Sequence, residues 1–166
     1  MNVMGHVAVR PAVEAEASSV SRLMADSLRN GYLSLLGKAE VERLVGRYCS
    51  LARIRTEIGA PGSGPGWLGW LVAVEPGGGV LGAAAGGVAE AGAGEVYCLC
   101  VNADRRREGI GSALLEAVSE QQRGAGARRQ LISLHSPEDP LLPFLSRHGF
   151  RPREEDLGGM RYARPL

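Results

Sequence analysis

The chain has 166 residues, the length of one ordinary domain that can bury a core without disulfide or metal staples. Hydrophobic residues make up 45% and charged residues 22%, a globular balance and not a disordered one. The net charge of +1 excludes the strongly basic profile of a dedicated nucleic-acid binder.

Val7 to Pro11 reads as an opening strand that ends at its proline. Val13, Ala17, Val20, Met24 and Leu28 then recur at spacings of three and four, one face of an amphipathic helix, and Asn30-Gly31 is the expected stop. Val41, Leu44, Val45, Tyr48 and Ala52 mark a second helical run. Gly59 to Gly66 is an irregular loop. Trp67 to Glu75, Val80 to Ala89 and Glu95 to Asn102 are three strands joined by turns at 76–79 and 91–94, an antiparallel meander. Ile110, Leu114, Ala117, Val118 and Gln121 lie on a helix ending near Gly124. Arg129 to His135 is a strand. Ser136-Pro137-Glu138-Asp139 reads as a helix start, with Gly149 closing that helix. Two short strands turn around Gly158-Gly159. The order β-α-α-β-β-β-α-β-α-β-β is a mixed-sheet α/β fold, and residues 1–166 are expected to form a single domain.

No signal-type apolar run occupies residues 1–10. The longest compact apolar stretch, Trp67 to Val74, is shorter than the about 20 residues that span a bilayer. The expectation is a cytoplasmic protein with no membrane partner. Cys49, Cys98 and Cys100 form no disulfide framework. Cys98 and Cys100 point to one face of their strand and, without further ligands at suitable spacing, make core packing rather than a zinc site. No metal is expected. Lys38 is the only lysine among the 19 Lys+Arg residues, and Gly numbers 24. A GC-rich genome explains most of that bias, so only positions with a local reason count.

One stretch has such a reason. Val101 to Leu115 leaves a strand, passes Asn102-Ala103-Asp104-Arg105-Arg106-Arg107-Glu108, and opens a helix with Gly109 and Gly111 at its N-terminus. The first N–H groups of a helix lack internal partners and sit at the positive end of its dipole, so they bind phosphate. Gly109 permits a conformation closed to other residues, and Gly111 lets a ligand approach the main chain. Arg106 and Arg107 add charge, and Ser112 adds a hydroxyl donor. A Rossmann fingerprint fails because Leu114 stands where a third Gly is needed, and a P-loop lacks its Gly-Lys-Ser/Thr.

Arg106-Arg107-Glu108-Gly109-Ile110-Gly111 resembles the Arg/Gln-x-x-Gly-x-Gly/Ala signature of the GCN5-related N-acetyltransferases (GNAT). Glu95 to Val101 resembles that family's fourth strand, His148-Gly149-Phe150 the end of its fourth helix, and Met160 to Leu166 its closing strand. The resemblance covers essentially the whole chain and implies a GNAT-like acyl-CoA N-acyltransferase fold. It implies acetyl-CoA as co-substrate, cradled by backbone N–H groups from Arg106, Arg107, Glu108, Gly109, Ile110, Gly111 and Ser112. By the same resemblance the Leu99 N–H bonds the thioester carbonyl and the Val101 backbone bonds the pantetheine.

The implied reaction is attack of a primary amine on the thioester, and the amine must first lose a proton. Glu95, at the start of the central strand, lies where histone-acetylating members carry a glutamate base; a surface Glu in a turn is the competing reading. Many members place a tyrosine acid where this chain has Leu145, leaving Ser146, Tyr97 or water as substitutes. Pro140 and Pro143 shorten or distort that helix. A non-catalytic acyl-CoA-binding sensor with a degenerate acceptor site is therefore the alternative function, and a generic α/β interaction domain a third. Tyr32 sits where members often shape the acceptor site. His135 and His148 read as structural, with a place in the lining of the acceptor pocket as the competing reading, and Glu154-Glu155-Asp156 as a solvated turn, with attraction of a cationic substrate as the competing reading. Members of the family often form homodimers. The acceptor, small molecule or protein, stays open.

Overall fold

The computed structural model describes residues 2–4, 7–59, 66–89, 92–153 and 160–166. The elements are β1 (Asn2–Met4), β2 (Val7–Pro11), a 3-10 turn at Glu14–Glu16, α1 (Ala17–Leu36), α2 (Lys38–Tyr48), α3 (Leu51–Gly59), β3 (Trp67–Val74), β4 (Val80–Val88), β5 (Ala93–Val101), a 3-10 turn at Ala103–Arg105, α4 (Ile110–Gly124), β6 (Arg129–Ser133), α5 (Leu142–Arg147), β7 (Arg151–Pro152) and β8 (Arg161–Pro165). Eight strands pair in the order β1-β2-β3-β4-β5-β6-β8-β7. β5 and β6 run parallel, and the other pairs are antiparallel. The mixed-sheet α/β architecture and the β3-β4-β5 meander agree with the sequence.

Helices cover both faces of the sheet. Leu71, Ala73, Ala84, Val96 and Ile132 pack on one face against Ile110, Leu114, Leu115 and Val118 of α4 and Leu145 of α5. Trp70, Val72, Val74, Ala83, Ala85 and Cys100 pack on the other against Ala17, Val20 and Leu23 of α1 and Ile54 of α3. That two-sided burial explains why β3 reads as a continuous apolar run and not an alternating one. A third cluster joins α1 to α2 through Ala25, Leu28, Val41 and Leu44.

Three readings of the sequence are corrected. α1 does not stop at Asn30-Gly31 but runs to Leu36. One glycine in a helix costs about 1 kcal/mol. The Tyr32 bond to Asp139 and the packing of Tyr32 and Leu36 against the α1–α2 cluster outweigh it. The helix ends instead at Gly37, whose φ of 82° allows the reversal into α2. The second helical run is two helices, broken at Cys49-Ser50. The helix expected from Ser136 begins only at Leu142. The Asp139 carboxylate accepts from the Leu141 and His135 N–H groups, which holds the intervening chain as a turn, and Pro140 and Pro143 restrict it further. The structure also adds β1. The loop at 60–65, residue 90 and the first residue of the 91–94 turn, Glu154-Glu155-Asp156 and the Gly158-Gly159 turn lie outside the described residues.

The small residues of β4 have a packing reason that composition concealed. A Cβ on Gly82 would lie 2.8 Å from Leu114 Cδ1 and 3.0 Å from the Cys100 carbonyl oxygen. One on Gly86 would lie 2.8 Å from Val118 Cγ1 and 2.9 Å from the Glu95 carbonyl oxygen. With buried Ala84 between them, these positions let α4 lie directly on the sheet. The N-terminus of α4 is thereby carried to the end of β5. Gly86→Ala should destabilise the protein by about 1–3 kcal/mol, since the backbone on one side cannot yield. A urea unfolding midpoint equal to that of the parent would contradict this close packing.

Candidate functional site

β5 departs from regular pairing at one residue. Ala85 faces Cys98 and Gly86 faces Val96, so Tyr97 is the extra residue of a β-bulge. The bulge reverses the alternation of side chains. Val96 packs on the α4 face together with Leu99 and Val101, whereas Cys98 and Cys100 face α1 and α3. Cys98 and Cys100 do share a face, their sulfurs 4.0 Å apart.

At the same point β5 and β6 part. Their pairing runs from Ala93↔Arg129 to Val96↔Ile132 and stops. From Tyr97 to Val101, the edge of β5 that faces β6 has no strand partner among the described residues. Backbone N–H and C=O groups in such a gap need other partners.

Two cavities open along this gap. The first, about 470 Å³, is lined by Leu99, Val101, Arg105, Arg106, Arg107, Gly109, Ile110, Gly111, Ser112, Phe144 and Arg147, among others. The second, about 820 Å³, is lined by Tyr32, Trp67, Trp70, Glu95, Tyr97, His135, Asp139 and Arg161, among others. Ser27, Tyr32, Leu99, Cys100 and Leu141 line both, so the cavities meet where the strands separate.

The loop into α4 is shaped for an anion. Gly109 is the N-cap of α4 with φ 81°, and Arg107 has φ 65°, the left-handed region that a non-glycine residue rarely enters. Two left-handed residues so close bend the chain sharply just before the positive end of α4. Gly111 leaves little spare room. A Cβ there would sit 3.3 Å from Phe144 Cε2 and 3.6 Å from Val101 Cγ2. Ser112 Oγ lies 3.0 Å from His148 Nε2.

Eight of the nine residues that sequence assigned to a cofactor line the first cavity. Glu108 does not; its carboxylate is held by Arg105, which also reaches Glu75 in the turn after β3. Arg105 thus ties the loop to the sheet, a role that sequence missed. Glu95 lies in the second cavity, its side chain 17% exposed. One of its carboxylate oxygens accepts from Arg161 Nη2. Its backbone carbonyl accepts from Gln122 Nε2 at 3.0 Å. Gln122 belongs to a buried network. Gln130 Nε2 donates to Gln122 and to Ser119, and Arg164 donates to Gln130, Ser119 and the His148 carbonyl. Leu145 is fully buried in the core, and Ser146 is exposed and lines neither of these cavities.

Tyr32 stands at the junction of the cavities. Its hydroxyl donates to Asp139 Oδ1 at 2.7 Å, and its ring meets His135 edge-on at 5.2 Å. Burial, reinforced by the bond to Asp139, pushes the phenol well above its ordinary value, so it is a neutral hydrogen-bonding group. No cluster of three or more His, Cys, Asp or Glu suited to a metal occurs among the described residues.

A family model described as an acetyltransferase (GNAT) domain matches residues 67–152. No curated protein sequence matches the chain. Among solved structures, the PaiA N-acetyltransferase of Thermoplasma acidophilum, in complex with coenzyme A, superposes with a TM-score of 0.84 at 16% identity over 96% of this chain and 99% of that one. A GNAT family acetyltransferase of Brucella melitensis, in complex with acetyl-CoA, gives 0.63 at 22% identity over 97% and 88%. A GNAT family acetyltransferase of Staphylococcus aureus gives 0.73 at 13% identity over 96% and 99%. At these identities the likeness is one of fold.

Burial, with Arg164 and Arg147 close by, pushes the His148 imidazolium below its ordinary 6.5. The folded protein therefore binds that proton less tightly than the unfolded chain does. Stability is full above the unfolded value and falls as the pH drops through it. Between pH 7 and 5 the wild type should lose more stability than His148→Gln, read from urea midpoints. Equal losses would contradict a neutral His148 beside Ser112.

Proposed function

The chain belongs to the GNAT acetyltransferase family, and from that premise we propose how its own residues transfer an acetyl group from acetyl-CoA to a primary amine. The observation that carries the proposal is the gap between β5 and β6, which runs from the bulge at Tyr97 to the left-handed turn at the N-terminus of α4. An extended chain with amides at one end and phosphates at the other fits that succession of open strand edge and helix terminus. Bound there, acetyl-CoA supplies a thioester whose carbon–sulfur bond breaks as the amine nitrogen bonds to the acetyl carbon, the thiolate leaving with the electron pair.

Backbone N–H groups from Arg106 to Ser112 hold the pyrophosphate, with Arg106 and Arg107 adding charge. The Leu99 N–H faces the thioester carbonyl, where a fixed donor stabilises developing negative charge. The Val101 backbone holds the pantetheine. Glu95 takes the proton from the incoming ammonium, directly or through water, and Arg161 orients its carboxylate. Leu145, where many members of the family carry a tyrosine, is buried and apolar, so α5 offers no hydroxyl to the thiolate. A thiol with pKa of about 8.5 leaves adequately without one. The acceptor occupies the second cavity, beside Glu95.

Saturating acetyl-CoA, at about a hundred times its Kd, should raise the melting temperature by roughly 5–10 °C for a domain of this size. No shift with either acetyl-CoA or CoA would overturn the binding site. Glu95→Gln should lower kcat by about a hundredfold at neutral pH. The loss should shrink as rising pH deprotonates the amine in solution, and the acetyl-CoA melting shift should persist. A pH–rate profile unchanged from wild type would remove Glu95 from the base role.

A further inference from the structure

Resting on the acetyltransferase reading above, the make-up of the acceptor cavity points to the kind of amine it takes. The chain is poor in aromatics, with two Trp, four Tyr and two Phe. Both tryptophans and three of the four tyrosines line this one cavity. They converge from separate elements: Tyr32 from α1, Tyr48 from α2, Trp67 and Trp70 from β3, and Tyr97 from β5. Core packing alone does not require that concentration, because most of the core is aliphatic.

Tyr97 is the bulge residue. Its ring stacks on Trp67, with centroids 5.9 Å apart and planes 23° apart. Trp67 in turn meets Trp70 edge-on at 6.3 Å. Gly87 lies against the Tyr97 ring, and a Cβ there would come within 3.1 Å of Cε2 and Oη. Tyr97 is nevertheless 58% exposed. A ring held by Trp67 and Gly87 yet more than half exposed is a preformed stacking surface, which loses little entropy when a ligand lands on it.

The charges of the wall exclude two other classes. Arg53 is paired with Glu57 and Arg161 with Glu95, so a carboxylate-bearing acceptor finds its prospective cations already on glutamates. The same pairings take up Glu57 and one oxygen of Glu95, leaving the other Glu95 oxygen for a single ammonium. The third carboxylate, Asp139, already accepts from the Tyr32 hydroxyl and two backbone N–H groups. Among the described residues a polycation therefore finds no row of open anions. One ammonium beside Glu95 and a flat apolar body on the aromatic wall use what remains.

We propose that the acceptor is an arylalkylamine, a primary amine on an aromatic body, with Tyr97 and Trp67 as the surface that selects it. Because the only two tryptophans line the cavity, intrinsic fluorescence reports its occupancy without turnover. The experiment titrates 2-phenylethylamine, hexylamine, phenylalanine and spermidine into CoA-saturated protein. 2-Phenylethylamine should bind on the order of fivefold to tenfold more tightly than hexylamine, and more tightly than phenylalanine and spermidine. Tyr97→Leu should collapse the ratio toward one, and Tyr97→Phe, which keeps the ring, should retain it. Equal affinity for 2-phenylethylamine and hexylamine, tighter binding of spermidine or phenylalanine, or a preference that survives Tyr97→Leu would overturn the proposal. A preference found without release of CoA from acetyl-CoA would uphold the aromatic selection and count against catalysis instead.

Discussion

The site rests on one break in backbone hydrogen bonding. β5 and β6 pair from Ala93 to Val96 and no further, and the bulge at Tyr97 marks the place. A sheet that leaves an inner strand edge open forgoes ladder bonds, and such groups are costly when buried without partners. Here the open edge borders two cavities instead of core. The bulge also flips the side-chain alternation. Leu99 and Val101 thereby face the α4 side, where the helix N-terminus lies, while Glu95 and Tyr97 border the other cavity. One inserted residue thus distributes the side chains of a single strand between two adjoining cavities.

The rest of the fold holds that geometry in place. Gly82, Ala84 and Gly86 let α4 rest on β4, which fixes where the helix begins. Arg105 braces the loop before it by joining Glu108 to Glu75. From behind, Gln122 holds the Glu95 carbonyl, and Gln130, Ser119 and Arg164 complete a network that reaches the His148 carbonyl. Gln122, Gln130 and Ser119 are fully buried and hydrogen-bonded to one another, with half-buried Arg164 closing the network, the condition under which such a network rigidifies a core instead of weakening it.

What was legible in the sequence was local. The loop from Arg106 to Ser112 was readable because helix N-termini and left-handed glycines leave a signal within a few residues. The meander was readable because β3, β4 and β5 are close in sequence. What was not legible depended on distant partners. Nothing near Asn30-Gly31 announces that Tyr32 will bond Asp139 across the site, so local sequence alone predicts too early an end to the helix. The glycines of β4 looked like compositional bias because the side chains they admit, Leu114 and Val118, lie on a later helix. The bulge at Tyr97 is set by pairing with β4 and has no signature in β5 itself. The aromatic cavity gathers residues from four elements, and no sequence window contains them all.

The central claim is that acetyl-CoA lies along the open edge of β5 and against the start of α4. Amide hydrogen exchange, followed residue by residue with and without acetyl-CoA, tests it most directly. The account predicts slowed exchange at Leu99, Val101 and from Arg107 to Ser112, with little change in β2 or α2. Protection confined to other parts of the sheet, or none at these amides under saturating ligand, would contradict it.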